Sequence, residues 1–167
     1  MASPCPVGPR NSGQSCADAT KNVAWKQSIP GHGWSSPVVA KGRVYLTTAV
    51  AGEGTAKMSF RCICLNETTG KIAWNTEVFT PTEALPRIHD KNSHASPTPL
   101  IADERIYVHF GHQGTACLDL TGKVLWRNDT LAYPPVHGSG GSLRPSQLKM
   151  SASSTRIGEP PLPWTGG

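Results

Sequence analysis

Three histidines sit at matching places in the chain: His32, His94 and His137, each five residues ahead of Pro37, Pro99 or Ser142. Imidazole is a common metal ligand and titrates near neutrality. Three of them gathered at one mouth would hold a small ligand, an anion or a metal. The other reading is architectural: each ring hydrogen-bonds the backbone of a neighbouring unit. Recurrence in every unit favours that role, and no HExxH-like spacing gives the three a ligand geometry of their own. A second cluster is cationic: Arg87, His89, Lys91 and His94. It falls on a long connection, the kind of loop that carries binding residues on a rigid scaffold. An acidic ligand or partner would suit it. A solvated loop is the simpler reading.

The other reactive side chains point to packing. The five cysteines form no metal pattern. Cys62 and Cys64 are two apart on one face of a strand, whereas zinc ligands come in wider pairs on turns. Cys64 and Cys117 occupy equivalent positions, which argues for a small buried hydrophobe at each. Cys5 and Cys16 would pair only in an oxidising compartment, and nothing positions them. Asn66 and Asp119 close equivalent turns, a task both side chains perform by bonding their own backbone. There are no paired carboxylates placed for acid–base work, no GxSxG and no phosphate loop. The expected catalytic and metal residues are therefore none. The N-glycosylation patterns at Asn66 and Asn128 are too common by chance to weigh.

The elements that hold these residues follow from a repeat. The stretch Leu118-Asp-Leu-Thr-Gly-Lys-Val-Leu-Trp126 reads as strand, tight turn, strand. It occurs earlier as Leu65-Asn-Glu-Thr-Thr-Gly-Lys-Ile-Ala-Trp74, and its end recurs at Asn22-Val-Ala-Trp25. The tryptophans are 49 and then 52 residues apart, a period that marks a stacked β-repeat. Thr98 to Val108 aligns without gaps on Ser36 to Leu46, repeating Pro, Ala, Arg and Tyr at Pro37/Pro99, Ala40/Ala102, Arg43/Arg105 and Tyr45/Tyr107. Strands are expected at 22–29, 35–40, 43–50, 59–65 and 71–79. Alternation places Val44 and Leu46 on one face and Tyr45 and Thr47 on the other; Phe60, Cys62 and Cys64 face away from Arg61, Ile63 and Leu65. Between its second and third strands the later copy is nine residues shorter. A unit of four antiparallel strands in series is the blade of a β-propeller.

The expected organisation is an extended or disordered arm at 1–21, repeats at 22–142 and a disordered tail at 143–167. Within the repeats, 22–30 ends a preceding blade, 31–79 and 94–130 are blades, 80–93 joins them, and 131–142 begins another. The fold class is all-β: an incomplete β-propeller of about two and a half four-stranded antiparallel blades. Residues 25–142 carry eleven Lys/Arg against nine Asp/Glu, so most of the formal +5 comes from the ends. No basic stripe follows a strand, which leaves no case for nucleic acid. No apolar run is long enough for a transmembrane helix, and the first residues lack the apolar core of a signal peptide.

With its strand–(T/D)-G-K–strand–Trp units the chain resembles the quinoprotein-type, eight-bladed β-propellers, whose repeats are named for pyrroloquinoline quinone (PQQ). The likeness covers roughly residues 22–142. Gly31-His-Gly-Trp-Ser-Ser-Pro37, His94-Ala-Ser-Pro-Thr-Pro99 and His137-Gly-Ser-Gly-Gly-Ser142 resemble its non-enzymatic bacterial branch, which includes outer-membrane assembly lipoproteins. The resemblance implies that Trp25, Trp74 and Trp126 dock between blades and that Gly70 and Gly122 serve turn geometry. It implies a periplasmic or exported location, although the chain shows no export signal.

The adjacent cysteines and the calcium-ligand and catalytic-Asp motifs of quinoprotein dehydrogenases are missing. Three functions are thus compatible with the sequence. The first is a binding or protein-interaction scaffold without catalysis or cofactor, whose partner is a protein or a small anionic ligand. The second is a fragment of a quinoprotein oxidoreductase, with PQQ on the axis. The third is a non-functional product of a truncated or shifted reading frame, prone to self-association through open sheet edges.

Overall fold

The computed structural model of the protein describes residues 23–54, 57–83, 85, 88–89, 92–130 and 141–143. The arm at 1–21, most of the third unit, the tail after residue 143, and Arg87, Lys91 and His137 lie outside them. Eight strands form: β1 (Val38–Ala40), β2 (Arg43–Ala51), β3 (Met58–Asn66), β4 (Ile72–Phe79), β5 (Leu100–Ala102), β6 (Arg105–His109), β7 (Thr115–Asp119) and β8 (Val124–Asn128). They make two antiparallel sheets in chain order, β1-β2-β3-β4 and β5-β6-β7-β8. These are two successive blades of an incomplete β-propeller.

The blades repeat each other down to register. Cys64 lies opposite Tyr45 on one side and Trp74 on the other, and Cys117 lies between Tyr107 and Trp126. A bulge follows the cysteine in both. The Tyr–Trp ring centroids are 6.0 and 6.2 Å apart. Both inner hairpins turn through two left-handed residues, Lys41-Gly42 and Asp103-Glu104, as a two-residue hairpin turn demands. The outer turns are closed as expected. Asn66 Oδ1 accepts from the Thr68 and Thr69 amides, and Asp119 Oδ1 from those of Thr121 and Lys123.

Strand alternation sorts the core. Tyr45, Ala49, Phe60, Cys62 and Cys64 of the first blade share one apolar cluster with Ile106, Val108, Phe110, Ala116 and Leu118 of the second. The first blade's other face carries Val44, Ile63 and Leu65, against which Trp25 and Ile29 pack. Each large side chain so buried contributes about 1.5–3 kcal/mol.

The tryptophans link unit to unit. Trp25 Nε1 donates to the Glu67 carbonyl at 2.8 Å, and its indole covers Gly70. Trp74 Nε1 donates to the Leu120 carbonyl at 3.2 Å, and its indole covers Gly122. A Cβ on Gly70 would fall 2.4 Å from the Trp25 ring, and one on Gly122 2.7 Å from that of Trp74. Both glycines have positive φ, 70° and 90°.

Two expected strands differ. Residues 23–29 carry no ladder, because no strand lies beside them among the described residues. The strand expected at 35–40 begins only at Val38. Ser35 replaces the ladder there: its hydroxyl donates to the Thr47 carbonyl and accepts the Thr47 amide, at 3.2 and 3.1 Å. The shorter second hairpin is bridged by a 3-10 turn, Gly111–Gln113.

A cavity at the loop end of the first blade

Two of the three repeat histidines, His32 and His94, line one cavity of about 730 Å³. Its walls come from Gly31, His32 and Trp34, the end of β2 (Ala49, Val50, Ala51), Lys57 and Met58 at the start of β3, and Ile88 and Asn92–His94 of the connection. None of the residues of β1 or β5 contributes. The volume is in the range of small-molecule sites.

Hydrogen bonds from main chain and side chains hold the walls. The 31–33 segment lies flat on β2: the His32 amide donates to the Ala49 carbonyl and the Ala49 amide to that of His32, both at 2.9 Å. A Cβ on Gly33 would sit 2.4 Å from the Thr47 carbonyl oxygen, so only glycine allows this approach. The Trp34 amide donates to the Ala95 carbonyl at 3.1 Å, joining the blade starts, while its side chain is 67 % exposed at the rim. Lys57 is fixed through its own amide, which donates to the Pro81 carbonyl at 2.9 Å. The turn before His94 is knotted by side chains. Asn92 Oδ1 accepts the Ser93 amide and the Ser96 hydroxyl, and the Ser93 hydroxyl accepts the Ala95 amide.

His94 stands edge-on to Phe60, with centroids 6.2 Å apart. Burial, and then the charge of nearby His112, hold its imidazole below the usual range. His112, on the 3-10 turn, is lowered by burial and lies 2.7 Å from the Gln113 amide nitrogen. His109 is lowered mainly by burial and bonds Thr115 Oγ1 at 3.0 Å. Of the cationic stretch, His89 is exposed and does not line the cavity; its carbonyl accepts the Asn92 amide. Arg87 and His137 lie outside the described residues.

Trp34, Lys57 and Met58 were not candidates from the sequence. The signal that marks them is departure from the repeat. Trp34 stands where the second unit has Ser96, and Lys57 and Met58 lie in the nine extra residues of the longer hairpin.

The described residues present no set of groups suited to the quinone cofactor of the resemblance. Among the described residues no cluster of three or more His, Cys, Asp or Glu is arranged for a metal, and no carboxylate lines the cavity. Cys62 and Cys64 are buried in the blade face, where burial pushes both thiols up. Among the described residues, no helix is long and apolar enough to cross a membrane.

Two overlapping matches to the family model described as outer membrane protein assembly factor BamB, a PQQ-like repeat, cover residues 10–128 and 54–153. No curated protein matches the chain significantly.

Proposed function

Since the chain belongs to the PQQ-like repeat family of that description, we propose that it is a binding module without catalysis, and that the cavity under Trp34 is its recognition site. One observation carries the reading. Repeat-equivalent residues serve the ladders, the turns and the tryptophan contacts, whereas the cavity wall is built largely from what the blades do not share: Trp34, the longer hairpin and the connection. In a repeat protein such departures are where a specific role is placed. Among the described residues the thiols are buried and the Asp119 turn carboxylate is held by its own backbone, which supports a binding role over turnover. By the same reading the module needs no redox cofactor. Its partner is a small ligand or the side chain of a protein.

The test is a fragment titration followed by amide NMR on the full chain. Shifts confined to Gly31–Trp34, Lys57–Met58 and Asn92–His94 are expected. Shifts scattered over both blades would refute the site. Dye reduction by the chain in the presence of PQQ and calcium would refute the absence of catalysis.

A further inference from the structure

We infer that the cavity takes a small carboxylate with an apolar body, its acid group toward Lys57 and the two imidazoles and its body against Trp34, Met58 and Ile88. This rests on the binding-module reading and names the ligand class.

The charge pattern is one-sided. The described lining holds one lysine and two histidines and no Asp or Glu. A cation there would meet like charge with no carboxylate among the described lining residues; an anion would meet at least the Lys57 ammonium. The half-enclosed wall displaces part of the water around a bound group, and such an attraction strengthens as the local dielectric falls. Apart from Gly31 and the polar turn residues Asn92 and Ser93, the rest of the described lining is apolar: Ala49, Val50, Ala51, Met58 and Ile88, with an indole most of whose surface is bare. A small inorganic anion would leave that surface wet, and a neutral apolar molecule would leave the cation unused. An apolar carboxylate uses both. Met58 adapts to an irregular body because its side chain is unbranched and polarizable.

His94 makes the attraction pH-dependent. Among the described residues, the titratable groups that share the cavity with His94 are His32 and Lys57, and His112 of the 3-10 turn acts on it as well. Holding its imidazole low keeps His94 neutral at neutral pH, so Lys57 acts first. An acid group in the cavity favours protonation of His94, and by linkage its binding tightens as the pH falls through the imidazole range.

The experiment uses 4-phenylbutyrate and its neutral amide as probes, titrated calorimetrically into the full chain at about pH 7.5 and about pH 5.5, either side of the imidazole range. The acid is expected to bind at least about tenfold more tightly than the amide, a difference within reach of one desolvated charge contact. Its affinity should rise at the lower pH while that of the amide does not. Lys57→Gln should bring the acid down toward the amide and leave the amide unchanged; Trp34→Ala should weaken both. Both side chains are at the surface, and circular dichroism checks that the variants fold. Equal binding of acid and amide, unmoved by Lys57→Gln, would overturn the ligand class and leave the binding module standing. No binding of either probe, with the Gly31–Trp34 amide signals unmoved, would overturn both.

Discussion

Gly122 tests how the blades are joined. Replacing it with alanine does two separable things. It forces a Cβ into a backbone at φ 90°, which costs about 1–2 kcal/mol for a left-handed residue. It also puts that Cβ 2.7 Å from the Trp74 ring and 2.9 Å from Thr76 Oγ1, closer than carbon atoms tolerate. The indole must move. Moving it breaks the Trp74 Nε1 bond to the Leu120 carbonyl and strains the Thr76 hydroxyl bond to the Gly122 carbonyl. Each such bond contributes about 1 kcal/mol. Added to the indole area returned to water, the total for Gly122→Ala comes to about 3–5 kcal/mol. Gly42 is the control, because it has φ 71° with nothing within 4 Å of a Cβ. Gly42→Ala therefore isolates the backbone cost, about 1–2 kcal/mol. Urea unfolding followed by tryptophan fluorescence gives both values from the midpoints, provided the slope is unchanged. In a Trp74→Ala background the gap between the two glycine substitutions should shrink to what the Thr76 hydroxyl contact alone costs. Equal losses in the native background would refute the inter-blade contact as a source of stability.

Three further outcomes follow from single sites. The Asp119 carboxyl is held below the usual range, first by the Thr121 hydroxyl and then by the backbone amides of Lys123 and Thr121. Its contribution is complete above the unfolded carboxylate range and fades below about pH 4; Asp119→Asn, which keeps the acceptor that Asn66 supplies in the other blade, should flatten that loss in acid unfolding curves. Burial lowers the His94 and His109 imidazoles, so stability should fall as the pH drops below about 6.5 toward their lower folded range; replacing each with Asn and repeating the melts shows which carries the slope. Cys62 is fully buried with its thiol pushed up, so in a Cys5→Ser/Cys16→Ser background native protein should react with Ellman's reagent only as fast as it unfolds. Rapid labelling of the folded chain would contradict the buried blade face.

The repeat was legible because every copy solves the same local problem with the same residues. Leu65–Trp74 and Leu118–Trp126 fold alike, and the facing of Val44 and Ile63 away from Tyr45 and Cys64 follows from alternation alone. Two things were not legible. A serine hydroxyl takes over the ladder at Ser35, a choice that strand propensity does not register. The cavity also eluded a reading that looked for recurrence, because Trp34, Lys57 and Met58 matter by not recurring. His32 and His94 were found by recurrence, yet the wall they line owes its shape to a loop nine residues longer in one blade.

The tryptophan contacts also impose a direction on synthesis. Trp25 waits for a carbonyl 42 residues later, and Trp74 for one 46 residues later. At a translation rate of about 5–20 residues per second, each indole emerges about two to nine seconds before its socket exists. The blades thus latch in order from the N-terminus, each turn capturing a ring already waiting. While it waits, that ring is open to a wrong partner. The length of the exposure is set by the ribosome, not by the stability of the finished contact.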